Sequence, residues 1–210
     1  MGTHVVTLPG PYLRGRLTLA MYRRMELLDL VALGTIEADA SVFPGSAFTG
    51  FPPCTITGQQ HAADAFAQAA QNDLTSAYNQ LDGLPCDATI TADLGGTTLQ
   101  PGVYCSTSSV GLTGEMFFDA LGDPNATLVI KAASTLTTAS AQVTLLNGAQ
   151  ASNIYWLVGS SATIGIGSAM KGNIITFQSV TLNNDATLLG RALARNGAVT
   201  LGSGNTITLP

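Results

Sequence analysis

The chain has 210 residues, enough for one domain with a sizeable core or for two small ones. Charged residues make up only 10%, and eight basic against thirteen acidic side chains give a net charge of −5. That balance argues against nucleic acid, whose binding needs clustered Lys and Arg. Mean hydropathy is +0.30, yet no uninterrupted apolar run approaches the ~18 residues of a membrane span. Hydroxyl and amide side chains supply the polarity instead, so a soluble protein with a weakly charged surface is expected.

Residues 1–33 differ from everything after them. Arg14 to Arg24 is basic, and Met25 to Leu33 reads as a short amphipathic helix. Arg23, Arg24, Glu26 and Asp29 interrupt the apolar stretch that a secretory signal requires. From Phe43 to Pro53 the chain is rich in turn residues. Residues 59–81 then carry the one convincing helix: Phe66, Ala70, Leu74, Ala77 and Leu81 form an apolar stripe at three- and four-residue steps. Gln68, Gln71, Asn72, Ser76 and Gln80 lie opposite it. Thr57 is the candidate cap, and Gly83-Leu-Pro85 stops the helix.

Three cysteines are present, Cys54, Cys86 and Cys105, with no CxxC, and only two histidines, His4 and His61. Ordinary zinc-ligand spacing is absent, and neither a metal nor a cofactor is expected. Cys86 and Cys105 bracket a segment with turn signals, so a disulfide between them stands beside three buried thiols as a reading.

After residue 88 short strands alternate with Gly, Asn and Ser, and a repeat appears. Residues 162–179 align with 180–197, matching Thr163 with Thr181, Ile164 with Leu182, Met170 with Leu188 and Gly172 with Gly190. A third copy begins at Ala198, and an earlier, stretched one at Ser134. Eighteen residues at ~3.3 Å make a perimeter of roughly 60 Å, three sides of about five residues each. Stacked coils of this kind predict a mainly β, right-handed, three-faced β-solenoid.

Alternation assigns the faces. A first column turns Leu136, Ile164, Leu182 and Leu201 inward and leaves Thr135, Thr137, Thr163, Gly165, Thr181, Asn183, Thr200 and Gly202 outward. A second turns Val143, Met170, Leu188 and Ile207 inward. Its outward positions are Gln142, Thr144, Ala169, Lys171, Thr187, Leu189, Thr206 and Thr208. The third, with Leu128 to Ile130, Ile154 to Val158, Ile174 to Phe177 and Ala192 to Ala194, is apolar on both parities, as a strand buried on both sides must be. The helix is therefore expected to pack along it.

Catalysis finds little support. His61 reads as a surface residue at the helix start, and Asp119 and Asp123 as turn chemistry. Arg191 and Arg195 are expected at the edges of the third column, capping carbonyls or pairing with the helix. The first column stands out because none of its eight outward positions is charged, whereas exposed strands usually carry Lys and Glu.

At this level of detail the chain resembles the microbial ice-binding (antifreeze) proteins with an irregular β-solenoid and a flanking helix. The matching stretches include Pro44-Gly-Ser-Ala-Phe-Thr-Gly-Phe-Pro-Pro53, Asp93-Leu-Gly-Gly-Thr-Thr-Leu-Gln-Pro-Gly-Val-Tyr104 and Ser134-Thr-Leu-Thr-Thr-Ala-Ser140. Trp156-Leu-Val-Gly-Ser-Ser-Ala-Thr163 and Gly190-Arg-Ala-Leu-Ala-Arg-Asn-Gly-Ala-Val-Thr200 extend the match. Residues 42–210 are covered in order and form the expected domain, helix 59–81 included, while 1–41 is set apart as an atypical N-terminal segment. The resemblance implies secretion and adsorption to ice through one flat face, giving thermal hysteresis and inhibiting ice recrystallisation. It implies no enzyme activity. The ice surface is the expected partner of a monomer, with neither nucleic acid nor membrane involved. The first column is the candidate face, and Gln142, Thr144, Ala169, Thr187, Thr206 and Thr208 of the second form the alternative. A carbohydrate-binding or adhesive solenoid is the rival reading, and a polysaccharide lyase or hydrolase a more distant one.

Overall fold

The computed structural model describes residues 29–30, 34–51, 53–90 and 92–210. The chain is mainly β: among these residues, sixteen strands form one curled sheet, two more a small one, and a single α-helix accompanies them. Every strand pair is parallel, and the ladders fall into three series.

The first series stacks Val110, Leu136, Ala162, Val180 and Val199 in register, and Asp29–Leu30 pairs beyond with Thr200–Leu201. The second runs from Thr98–Leu99 through 115–119, 142–146, 169–171 and 187–189 to Thr206–Thr208. It continues into Thr35–Glu37 and Thr55–Ile56. The third comprises Ala88–Thr89, Gly102–Ser106, Leu128–Ala132, Ile154–Val158, 172–176 and 190–194. The inner sides meet in one core that includes Met116, Phe118, Leu136, Val143, Trp156, Leu182 and Ile207. Trp156 is buried, and its indole N–H donates to the Lys171 carbonyl at 3.0 Å.

Gly172 and Gly190, matched by the repeat, stand in register where the second series turns into the third. Both have positive φ, and a Cβ on Gly190 would collide with the carbonyl of Gly172. Only glycine combines that backbone with so close an approach.

Residues set apart by the sequence take part in the stack. Thr35–Glu37 pairs with Thr206–Thr208, so the C-terminal coil lies inside the stack, not at its end. Of the amphipathic helix expected over 25–33, residues 25–28 and 31–33 lie outside the described residues. Asp29–Leu30 is a strand, held by its ladder with Val199–Leu201.

The main helix spans Ala65–Asp82, later at its start than the expected 59–81, because Gln60–Ala62 is drawn into a ladder with Ala40–Val42. Asp64, not Thr57, is the cap, accepting from the Ala67 N–H, while the Thr57 hydroxyl donates to the Ile36 carbonyl. Gly83 ends the helix, as the sequence indicates. Its 18 residues make it about 27 Å long, close to the ~24 Å height of the third series, six strands at about 4.8 Å. It lies along that series, where the Tyr78 ring meets Phe177 at 6.0 Å and the Arg195 guanidinium sits 5.1 Å from the Tyr78 ring centre. Lys131, from the strand beneath, donates to the carbonyls of Asp82 and Leu84 and caps a C-terminus that lacks a basic residue of its own. The buried stripe is Ala67, Ala70, Gln71, Leu74, Ala77, Tyr78 and Leu81. Phe66, expected there, is 42% exposed and stacks on His61, and Gln71, expected outside, is buried.

Cys86 and Cys105 form a disulfide, and Cys54 is a buried free thiol. The bridge ties the segment leaving the helix to the terminal strands of the third series, closing a separation of 19 residues. Loop closure of that length is worth about 3 kcal/mol. Cys105→Ser is therefore expected to lower the unfolding free energy by roughly that amount, measured by denaturant titration. Identical stability with and without reductant in the parent protein would contradict the bridge's role.

Candidate functional site

The structure redraws the first column. The register row there is Thr137, Thr163, Thr181 and Thr200, between the buried positions Leu136, Ala162, Val180 and Val199 and the buried positions Thr138, Ile164, Leu182 and Leu201. Leu136 thus pairs with Ala162, not with the level of Ile164. The offset arises because Thr138 points inward: it is 4% exposed, its hydroxyl bonds Ser168 and accepts from the Gly165 N–H. Alternation read on hydrophobicity alone misses a satisfied inward threonine. Thr135 consequently falls in an earlier row, its hydroxyl 2.8 Å from that of Ser109. Gly165 is buried against the Thr138 carbonyl and offers nothing outward. Asn183 and Gly202 are half-buried at the turn, where Asn205 donates to the Asn183 carbonyl. What remains of this face is a single row with one threonine in each of four coils and Gly111 in the coil before them.

The second series behaves as the alternation indicates, and it is wider. Met116, Val143, Met170, Leu188, Ile207 and Ile36 form a buried inner row. An outward row on one side runs Glu115, Gln142, Ala169, Thr187, Thr206, Thr35 and Thr55. On the other side it runs Thr98, Phe117, Thr144, Lys171, Leu189, Thr208 and Glu37. All are half-buried or exposed. The result is a two-dimensional array with steps of about 4.8 Å between coils and roughly 6.6 Å along each strand. The Thr144 hydroxyl donates to the Glu115 carboxylate, which ties one charge into the array. Thr35 and Thr55 were not foreseen in it; the Thr-Ile pairs at 35–36 and 55–56, echoing Thr206-Ile207, are the signal that could have placed them.

Arg191 is largely buried, which lowers its pKa, and donates to Asn173 at 2.9 Å; Arg195 lies over the rings of Tyr78 and Phe177. Arg195 thus joins the third series to its helix, whereas Arg191, expected to cap carbonyls or pair with the helix, bonds its register neighbour Asn173 within the series. His61 Nδ1 lies 2.8 Å from the Asp64 carboxylate, three residues away on the helix N-terminal turn. Among the described residues no group of three or more His, Cys, Asp or Glu is placed to hold a metal. Nor does any described helix have the length and apolarity to cross a membrane.

A family model described as Ice-binding-like matches residues 31–208. An ice-binding protein of Nostoc sp. (strain HG1) is 45% identical over 168 residues, which is 79% of this chain and 62% of that protein. The crystal structure of an ice binding protein from an Antarctic biological consortium superposes with a TM-score of 0.91 at 44% identity, covering 97% of this chain and 93% of that one. That of an ice-binding protein from the Antarctic ascomycete Antarctomyces psychrotrophicus gives 0.87 at 36% identity, covering 93% and 97%. The chain spans about three-fifths of the length of the curated Nostoc and Colwellia relatives that it matches, at 62% and 60%.

The carboxyl groups with displaced titration are structural. Asp64 is held low by the Ala67 N–H and then by His61, and Asp93 by the Gly95 N–H and then by the Thr113 hydroxyl. Asp119 is held low by the Asn147 amide and then by the Leu121 N–H. Each pKa is depressed on folding, so its stabilisation is complete above the ordinary aspartate value of 3.8 and is lost as pH falls through the lower folded-state value. The melting temperature is expected to stay flat from pH 7 to about 5 and to fall below about 4. In Asp93→Asn the plateau is expected to drop and the acid fall to shrink; a melting temperature that rises on acidification would contradict the sign.

Proposed function

The chain belongs to the ice-binding-like family, and from that premise we propose that it adsorbs to ice through the outward face of the second series. The observation that carries this reading is the two-row array, in which Thr187, Thr206, Thr35 and Thr55 succeed one another at the coil spacing with Thr208 beside them. Hydroxyls anchor first-shell water while the methyl groups beside them and the apolar row beneath exclude disordered water. Because the ladder fixes these groups before binding, little conformational entropy is lost when they meet a lattice. Adsorbed molecules then force ice to grow as curved fronts between them, which depresses the freezing point and slows recrystallisation.

We read the stack as a right-handed, three-faced solenoid: three ladder series support the three faces, and parallel crossovers are right-handed in about 98% of cases. The atypical status of residues 1–41 narrows in this reading to those before the first ladder strand at Asp29. Secretion is supported by the disulfide, which persists in oxidising compartments. The protein is read as a binding protein, not an enzyme, and as a monomer that takes ice itself as its partner. The glycan-binding rival needs accessible aromatic platforms, but Trp156 and Tyr155 are 1% and 6% exposed.

The test is thermal hysteresis and crystal shape in a nanolitre osmometer. The parent protein is expected to facet ice and open a hysteresis gap. Thr206→Tyr, which props a ring out of the array, is expected to abolish most of the gap with an unchanged melting temperature. Thr181→Tyr, on the single-row face, is expected to retain it. Loss in Thr181→Tyr with retention in Thr206→Tyr would move the site to the first series.

A further inference from the structure

The face of the second series is not uniform along the stack, and its regular half is assembled from both ends of the chain. Thr206–Thr208 lies between Thr187–Leu189 on one side and Thr35–Glu37 on the other, with Thr55–Ile56 beyond. The junction is fixed from both directions. The Thr35 N–H donates to the Asn205 carbonyl at 2.9 Å, and the Thr55 N–H to the Gly34 carbonyl at 3.0 Å. Asn205, 1% exposed, donates its side-chain amide to the carbonyls of Asn183 and Ala186 in the preceding coil. The turn that delivers Thr206 is thereby pinned to one neighbour and its backbone to the other.

In the opposite direction the array loses its regularity. The row that reads Thr55, Thr35, Thr206 and Thr187 passes into Ala169, Gln142 and Glu115. Its companion passes from Thr208 through Leu189 to Lys171, Thr144, Phe117 and Thr98, and on the other side of Thr208 it ends at the exposed Glu37. Lys171 is the one cation on the described part of this face. An ammonium is compact and strongly hydrated, and it carries its own water shell on a flexible stem. Such a shell does not continue a lattice set by neighbouring hydroxyls.

Resting on the ice-face reading above, we infer that contact with ice is confined to a seam patch. Thr187, Thr206 and Thr208 from the C-terminal coils form it jointly with Thr35 and Thr55 from the N-terminal ones. Lys171 marks its limit. Thr35 and Thr55 are then ice-contacting residues, and the site exists only when the N-terminal strands are docked beneath the C-terminal coil.

Four further variants of the full chain, read beside Thr206→Tyr, test this, each with its melting temperature measured beside its hysteresis. Thr35→Tyr and Thr55→Tyr are each expected to lose most of the gap. Gln142→Tyr, on the same face but outside the patch, is expected to keep most of it. Lys171→Thr is expected to widen the gap by extending the array. Should Thr35→Tyr disturb the junction and lower the melting temperature, Thr55→Tyr, at an exposed terminal strand, decides. Retention in Thr55→Tyr beside loss in Thr206→Tyr would overturn the seam while leaving the face intact. Equal loss in Gln142→Tyr and Thr55→Tyr would spread contact over the whole face, against the patch. An unchanged or narrower gap in Lys171→Thr would remove Lys171 as its boundary. Retention in every variant, Thr206→Tyr included, would sink the face assignment itself.

Discussion

The parallel backbone ladder is the constraint on which everything else in this molecule rests. Each coil gives its N–H and C=O groups to the coils on either side, so residues at equivalent positions are held about 4.8 Å apart whatever their side chains. That fixed pitch allows threonines from distant parts of the sequence to share a row. It also requires Gly172 and Gly190 at the tight corner, where backbone meets backbone. A ladder leaves no room for gradual adjustment: an insertion must be absorbed at a turn or as a bulge. The register shift between Ala139 and Gln142 does this, and Ser140 there takes a positive φ.

The helix answers a problem that the ladder creates. Strands such as Ile154–Val158 are buried along their whole length, so the third series has an outer side that water cannot be allowed to wet. The helix covers it from one end of the stack to the other, and its length matches because the same segment must carry the chain back from the N-terminal coils to the opposite end. Polar groups at this interface are handled locally: Lys131 caps the helix, and Arg195 lies flat on two rings. The other two series keep one side exposed, and only the second presents a surface two residues wide.

Much of this was legible in the sequence. The repeat of residues 162–197, the inward Met170 and Leu188, the doubly apolar third column and the helix stripe through Leu74 and Leu81 follow from periodicity alone. Two of the misreadings share a cause, which is polar residues doing the work of apolar ones. Thr138 and Ser168 turn inward because they satisfy each other, and the first column is two residues out of register at its Leu136 coil as a result, while Ile164, Leu182 and Leu201 align as the repeat indicates. Gln71 is buried on the helix while Phe66 is exposed against His61. The strands at 35–37 and 55–56 are too short to show a period and pair with residues at the far end of the chain. No local pattern reveals a partner so remote. The candidate site suffered most, because its lower half depends on that pairing.

The N-terminal strands docked under the C-terminal coil have a consequence in time. During synthesis the strands at 29–30, 35–37 and 55–56 emerge well before Val199–Thr208, with which the first two pair. At translation rates of about 5–20 residues per second, the interval is on the order of ten seconds. Coils between residues 98 and 194 can stack as they appear, while the N-terminal strands, paired only among themselves through Thr35–Ile36 with Thr55–Ile56 and Ala40–Val42 with Gln60–Ala62, wait for their partners at 199–208. Closure of the stack is therefore the step of greatest sequence separation and the slowest to find by diffusion. Until it happens, the edge at Thr206–Thr208 stands open to any other strand, including that of a second nascent chain.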